Sequence, residues 1–436
     1  MAFDALRRVS SEGAYANLVL PTLLGERGLD GRDAAFATEL LAGTCRGMGT
    51  YDAVLEAAAG RSTGSLQPAV LDLLRLGAHQ VLGMRVPAHA AVAATVDLAA
   101  ATVGARVTGL VNAVLRRVAA RDFQGWVDQI GRDRDATDRL ALATAHPRWV
   151  VEAYADRLPA VEVEPALAAD NVSPEVSLVV RPGLLTQQEL VDAADGRGRW
   201  SPFAARVAGN PADLDLVRSG RAGVQDEGSQ LAAWGLTRAA APPGRWLDLC
   251  AGPGGKTALL TGLAAAEGSR VLAADLTAHR AALVAAGTRA YPPDQRPHVV
   301  VADGTVPAWA PAAFSRVLAD VPCSGLGALR RRPESRWRRT PDDVEALHPL
   351  QRALLTSAVA AVAPGGVVAY VTCSPHRRET VEVVGETLAG RTDVEVLPAR
   401  DLLPGLGEAY DGDFLQLWPH RHGTDAMFAA YLRRTN

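Results

Sequence analysis

A chain of 436 residues, 48% of them hydrophobic, carries enough apolar material for more than one core, so two or three domains are expected. The formal charge is slightly negative, −3 at neutral pH, which excludes a grip on long nucleic acid by bulk positive charge and leaves only local patches for that purpose. Four cysteines, Cys45, Cys250, Cys323 and Cys373, lie far apart without a CxxC pair, which argues against a disulfide framework or zinc site, and no metal is expected.

The first residues are charged and lead into no long apolar run, so a signal peptide is not expected. No apolar stretch is long enough and free enough of charge to span a membrane, and the expected location is the cytoplasm. Residues 1–138 read as helix after helix. Apolar residues return at helical spacing in 33–43, 66–82, 88–100 and 109–118, with breakers at Gly31, Gly60 to Gly64, Gly83 to Pro87 and Gly104. Asp33 is a candidate cap for the second helix. Residues 139–165, containing HPRWVVEAYADRL, read as a helical connector.

Residues 166–238 change character. SLVVRP (177–182) and the short apolar segments 203–207 and 214–217 predict strands, LTQQELVDAA predicts a helix, and together they suggest a small α+β subdomain. VQDEGSQLAAWGLTRA then opens another helix. From 239 to 436 strands and helices alternate, the mark of a parallel sheet covered on both faces. The candidate strands are 245–250, 270–275, 297–302, 316–321 and 366–373. Segments 394–398 and 427–434 complete the sheet, the last of them antiparallel. The expected protein is therefore multidomain: an all-helical bundle, a small α+β subdomain and a C-terminal α/β Rossmann-like domain.

The first strand of that domain runs into AGPGGKT and a helix. A glycine-rich turn in this place lets backbone amides approach a ligand closely. It is not a P-loop, because Cys250 stands where the first glycine is required, and Gly252, Gly254 and Gly255 do not form GxGxxG. Asp248, the glycines, Asp275 and Asp303 fall at successive strand ends, an order that fits S-adenosylmethionine better than a nicotinamide dinucleotide. Lys256, in the same loop, is the single lysine among 45 basic residues.

Two later strands end in ADVPCSGLGALRR and YVTCSPHRRE, each placing a cysteine just past the C-terminal edge where open α/β sheets carry their sites. A buried cysteine is ordinarily a small core hydrophobe, but Cys323 and Cys373 sit among polar and turn-forming residues. Carbon 5 of cytosine is a poor nucleophile. A thiolate adding to carbon 6 makes the ring enamine-like, so that carbon 5 can attack a sulfonium methyl. Asp320 is placed to stabilise the ring as charge builds, and a second acid–base group is needed before the thiol can leave. These residues alone do not rank the two cysteines. Between them, residues 330–339 hold six arginines with Trp337 interleaved, a pattern that suits a phosphate backbone and a stacked base. A solvated charged loop is the plainer alternative.

At these motifs the chain resembles the RNA 5-cytosine methyltransferases of the RsmB/Sun/Nop family. The segments that carry the likeness are LDLCAGPGGKT, ADLTAHR, ADG, LADVPCSGLGALRRRPESRW, LHPLQRALL, GGVVAYVTCSPHRRE and LWPHRHGTDAMFAAYLRR. GAYANLVLP, RDAAFATELLAGTCR and GLVNAVLRR resemble a NusB-like helical RNA-binding domain. The resemblance implies a class I methyltransferase domain over 239–436 and S-adenosylmethionine as cofactor. The implied substrate is a single-stranded or loop cytosine of 16S ribosomal RNA, the expected particle a monomer with no membrane partner. It further implies Cys373 as nucleophile, Cys323 as the cysteine that assists product release, Asp320 as the pyrimidine-contacting carboxylate and Lys256 as an active-site lysine. Implied cofactor contacts are Cys250, Ala251, Gly252, Pro253, Gly254, Gly255, Lys256, Asp275, Arg280, Asp303, Gly304 and Asp320. Arg330, Arg331, Arg332, Arg336 and Trp337 are the expected RNA contacts. The chain departs from the family in reading DVPCSG for the commoner DAPCSG, and PHRRET without an ENE-like acidic run after TCS.

Overall fold

The computed structural model describes residues 1–436, which divide into two compact units: Met1–Val172 with Leu329–Thr340, and Ser173–Ala328 with Pro341–Asn436.

The first unit is helical. It contains α1 (Ala2–Glu12), α2 (Ala16–Glu26), α3 (Gly31–Ala59), α4 (Pro68–Leu82), α5 (Ala88–Thr102), α6 (Thr108–Val118), α7 (Phe123–Gly131), α8 (Ala136–Thr144), α9 (Arg148–Ala155) and α10 (Ala160–Ala169). Its apolar stripes meet in one core around Leu6, Leu41, Leu55, Leu73, Leu74, Val111 and Leu115. Asp33 lies in the first turn of α3, and Asp30 takes the cap position in its place. The expected connector is not a separate piece, since α8 to α10 pack into this unit as far as Val172.

Segment 329–340 also belongs to this unit and is largely buried in it. The arginine run was expected to be a solvent-facing RNA patch, and the structure corrects that reading for most of it. Arg336 is fully buried, and its guanidinium donates to Ala145 O (2.9 Å), Asn171 Oδ1 (2.8 Å) and Asp170 O (3.2 Å). Burial pulls its pKa down to about 10. Trp337 donates its indole N–H to Arg46 O at 3.0 Å, and Arg338 donates to Ala14 O at 2.7 Å. Arg330 is buried and Arg331 half-buried; Arg332 is exposed, with its guanidinium 4.8 Å from the centre of the Tyr15 ring. Six arginines in ten residues look alike in a sequence, whereas here two of them, Arg336 and Arg338, serve as donors to helix-end carbonyls.

The second unit opens with a four-stranded antiparallel sheet of β1 (Val176–Val180), β2 (Gly196–Arg197), β3 (Ala204–Val207) and β4 (Ala222–Val224), in the order β2-β3-β1-β4. A short helix α11 (Gln187–Asp192) starts with a capping box between Thr186 and Glu189. Residues 214–217, expected as a strand, form the one-turn helix α12 (Asp215–Arg218), where an acidic first turn and Arg218 suit helix ends. Helix α13 (Glu227–Arg238) then leads to the large sheet.

That sheet contains β5 (Arg245–Asp248), β6 (Val271–Asp275), β7 (His298–Val301), β8 (Phe314–Asp320), β9 (Val362–Thr372), β10 (Val394–Leu397), β11 (Tyr410–Asp411), β12 (Phe414–Gln416) and β13 (Phe428–Arg434). The path runs β11-β12-β13-β9-β8-β5-β6-β7, with β10 also paired to β13. β5 to β9 are mutually parallel and β13 is antiparallel to β9. Alternate residues feed opposite cores: Trp246, Leu318, Val367 and Ala369 face one, and Leu247, Val317, Val368 and Tyr370 the other. Helices α14 (Gly255–Ala266), α15 (Ala278–Gly287), α16 (Pro341–Ala361) and α17 (Val381–Leu388) belong to the same unit. The chain leaves β5 toward β6 and β7, then returns to β8 on the other side. This reversal opens a crevice at the C-terminal ends of β5 and β8. No helix of the molecule is long and apolar enough to cross a membrane.

Candidate active site

The crevice holds a cavity of about 190 Å³, lined on one side by Asp248, Cys250, Ala251, Gly252, Pro253, Gly255, Lys256 and Asp320. Val224, Gln225 and Ser229 close the other side. In the sequence these three residues belong to a segment that reads only as the opening of a helix, and none of them is an expected site residue.

The glycine loop is shaped by close approaches. A Cβ at Gly252 would lie 2.5 Å from Asp275 Oδ2. Gly254 has φ +110°, and a Cβ there would come within 2.9 Å of Val284 Cα. The loop is tied to the next strand end, because Gly252 N–H donates to Asp275 Oδ2 (2.9 Å) and Arg280 Nε donates to the same oxygen (3.0 Å). Arg280 also donates to Gly252 O. Thr277 donates to Asp275 Oδ1 through N–H at 3.1 Å and through its hydroxyl at 3.3 Å. Burial raises the pKa of Asp275, but the donors of Thr277, Arg280 and Gly252 outweigh it and hold the carboxyl below its ordinary value.

Asp275 and Arg280 thus brace the loop and lie outside the cavity lining. Asp303 is exposed, and its Oδ1 accepts from Thr305 N–H at 2.8 Å and Thr305 Oγ1 at 2.7 Å. Gly304 is buried, with room for no side chain beside Leu354 and Leu249.

Asp248 is buried beneath the cavity. Thr257 donates to its Oδ2 at 2.7 Å, while Oδ1 has no partner. Burial pushes its pKa up to about 7, and the Thr257 hydroxyl only partly offsets that. Gln225 Oε1 is likewise buried without a donor. A cavity floored by unpaired acceptors and edged by the N-terminus of α14 fits a ligand that carries both cationic and anionic groups. The ammonium, sulfonium and carboxylate of S-adenosylmethionine meet that requirement.

Across the crevice, Lys256 donates to Asp320 Oδ2 at 2.7 Å. Burial pulls the ammonium down, yet the Asp320 carboxylate overcomes it and the Lys256 pKa is raised. Cys323 and Cys373 come together from the ends of β8 and β9, 50 residues apart in sequence, with their sulfurs 3.3 Å from each other. The loops that bear them are stitched by backbone: Gly327 N–H donates to Cys373 O at 2.9 Å and Val321 N–H to Val371 O at 3.0 Å. The Cys373 pKa is lowered, first by the thiol of Cys323, with the Lys256 ammonium adding to the effect against burial and Asp320. The Cys323 pKa is raised well above the thiol range, first by donating to Cys373, then by burial. The two shifts have opposite signs and one first cause, the contact between the two sulfurs. The other two cysteines differ. Burial drives both Cys45 and Cys250 far above the ordinary thiol range, and neither has a sulfur partner.

The arrangement therefore places two sulfurs in contact and a carboxylate–ammonium pair at the edge of a cavity for a small charged ligand. Three residues that hold it were missed. Ser324, Gln351 and Glu379 are buried around the Cys323 loop, and Glu379 stands where the acidic run after TCS is interrupted.

Comparison with known proteins identifies the family and the fold. Residues 238–433 match the family model described as 16S rRNA methyltransferase RsmB/F, and residues 1–120 match the NusB family. A candidate methyltransferase of Mycobacterium tuberculosis, Rv1407, is 54% identical over 99% of this chain and 95% of its own length. The ribosomal RNA small subunit methyltransferase B of Vibrio cholerae is 31% identical over 97% of each chain. Among solved structures, the crystal structure of PH0851 aligns over 99% of this chain and 97% of that one, with a TM-score of 0.81 at 21% identity. NSun6 from Pyrococcus horikoshii aligns over 66% of this chain and 98% of its own, with a TM-score of 0.56 at 16% identity. At these identities the two structures speak for the fold.

Proposed function

The chain belongs to the RsmB/F family of 16S rRNA methyltransferases, and from that membership we propose that it methylates carbon 5 of a cytosine in 16S ribosomal RNA. The reaction runs through a covalent cysteine–pyrimidine intermediate. The observation that carries this reading is the pair of sulfurs 3.3 Å apart beside the Lys256–Asp320 ion pair.

The target base leaves its stack, which a single-stranded or loop cytosine does at least cost. The Cys373 thiolate adds to carbon 6. A proton reaches ring nitrogen 3 as electron density arrives there, and the Lys256–Asp320 pair is the group that stabilises it. Bound S-adenosylmethionine supplies the electrophilic methyl for carbon 5. Loss of the carbon-5 proton to solvent, and return of the nitrogen-3 proton to the Lys256–Asp320 pair that supplied it, then let the carbon–sulfur bond break and release Cys373 as a thiolate. The Cys323 S–H stabilises that leaving thiolate through the hydrogen bond seen in the free protein.

For the cofactor, the Gly252–Gly255 backbone and Lys256 flank the carboxylate end, while Asp248 Oδ1 and Gln225 Oε1 are the acceptors for the cationic end. Asp275 is assigned to the ribose hydroxyls and Asp303 to the adenine amino group. Because every lone-pair direction of Asp275 is already used, Arg280 or Thr277 must yield when a ribose binds. Arg331 and Arg332 remain the proposed RNA contacts of the arginine segment.

Substrate and product are tested together by incubating the protein with labelled cofactor and ribosomal RNA from a strain lacking it, then mapping the modified nucleotide. One 5-methylcytosine in 16S RNA is expected. A methyl group on an exocyclic nitrogen or on protein contradicts the reading.

A further inference from the structure

Glu379 is fully buried, on a short 3₁₀ turn six residues beyond Cys373. Such a group is found inside a protein only when its oxygens are satisfied. Here all their donors come from elements that carry the two cysteines or brace them. Ser324 N–H, on the residue after Cys323, donates to Oε1 at 2.7 Å, and the Ser324 hydroxyl donates to Oε2. Gln351 Nε2, from α16, donates to Oε1 at 3.1 Å and to Pro322 O, on the residue before Cys323, at 2.8 Å. Ser324 Oγ also reaches Ser374 Oγ, beside Cys373, at 3.3 Å. The Glu379 carbonyl is pinned in turn by the Tyr370 hydroxyl at 2.8 Å. Both flanks of Cys323 therefore hang from one carboxylate, and that carboxylate is anchored to the strand that delivers Cys373.

We propose that Glu379 is the positioning residue for Cys323: acting through Ser324 and Gln351, it holds the Cys323 thiol within hydrogen-bond reach of Cys373 for release of methylated RNA. The proposal rests on the covalent reading above. It follows from hydrogen-bond geometry and not from charge. A glutamine at 379 keeps one oxygen for the two N–H donors, and its amide can donate to a Ser324 hydroxyl turned toward Ser374. An alanine leaves the Ser324 amide and the Gln351 amide without their acceptor and frees the loop. Loss of a few tenths of an ångström in this contact harms the departing thiolate and leaves cofactor and RNA binding intact.

The test compares wild type with Glu379→Ala, Glu379→Gln, Gln351→Leu and Cys323→Ala, using labelled 16S RNA, S-adenosylmethionine and a denaturing gel, alongside steady-state rates. Glu379→Ala is expected to accumulate RNA adduct as Cys323→Ala does. Its kcat should be about 100-fold lower with KM for RNA unchanged, the scale of loss for a reacting group displaced by about 1 Å. Glu379→Gln should turn over like wild type without adduct. Gln351→Leu, which keeps the side-chain volume and loses both donors, should accumulate adduct too, and it serves should Glu379→Ala fail to fold.

If Cys323→Ala forms adduct while Glu379→Ala and Gln351→Leu do not, the positioning role is wrong and the covalent reading stands. If Cys323→Ala itself forms none, the failure lies in the reading on which the proposal rests. A Glu379→Gln variant as impaired as Glu379→Ala would also overturn the proposal, because charge would then be the working property.

Discussion

Two sulfurs 3.3 Å apart cannot behave as independent thiols, since a proton held on one is shared toward the other. The Cys373 pKa is lowered chiefly by its contact with the Cys323 thiol. Removing that donor in Cys323→Ala should therefore shift the pH profile of Cys373 alkylation by iodoacetamide to higher pH, read by mass spectrometry of the labelled peptide; an unmoved profile would contradict the shared proton. Asp248 gives a second prediction at this scale. Its folded pKa of about 7 stands above the ordinary value of 3.8, so between those pH values the folded protein holds a proton that the unfolded chain has released. Its contribution to stability is complete below about pH 4 and is lost as pH rises through about 7. In cofactor-free protein, Asp248→Asn should flatten the decline in melting temperature across that window, and identical slopes for wild type and variant would refute it.

Elements were legible in the sequence to different degrees, for physical reasons. Long amphipathic helices and the parallel strands repeat their pattern often enough to declare themselves, as 66–82 and 366–373 did for α4 and β9. Four apolar-rich residues at 214–217 are too few to show a period, and they formed a helix. The two-residue β11 and three-residue β12 gave no signal at all. Segment 329–340 was misread because composition reports charge and not burial. That correction yields a prediction. Arg336→Ala leaves Ala145 O, Asn171 Oδ1 and Asp170 O without this donor, at about 1–3 kcal/mol for each buried group unpaired. Urea unfolding should show a large loss of stability. Arg332→Ala, at an exposed position, should leave stability unchanged. With Arg331→Ala added, RNA affinity should fall at matched salt while cofactor affinity holds. A stable Arg336→Ala protein would mean that the clasp is dispensable.

At the scale of the whole molecule, the cofactor loop and the two cysteines were readable as motifs because their chemistry needs fixed residue types at strand ends. What joins them was not. Cys323 and Cys373 are brought together by the adjacency of β8 and β9, and the buried carboxylate that braces them reaches the Cys323 loop only through that same adjacency. The cavity wall formed by Val224, Gln225 and Ser229 comes from the small sheet and the start of α13, and only the fold brings it against the glycine loop. The balance of charge, −3 overall, leaves RNA capture to local groups, so binding should weaken with salt by an amount that reflects few phosphate contacts.

In the proposed mechanism residue 373 bonds to the pyrimidine and residue 323 lets it go. Trapping on a denaturing gel, with labelled RNA and S-adenosylmethionine, separates the two roles. A covalent protein–RNA band is expected to build up in Cys323→Ala and to be absent in Cys373→Ala. A band that survives only in Cys373→Ala would reverse the two roles, and no band in either protein would contradict the covalent mechanism itself.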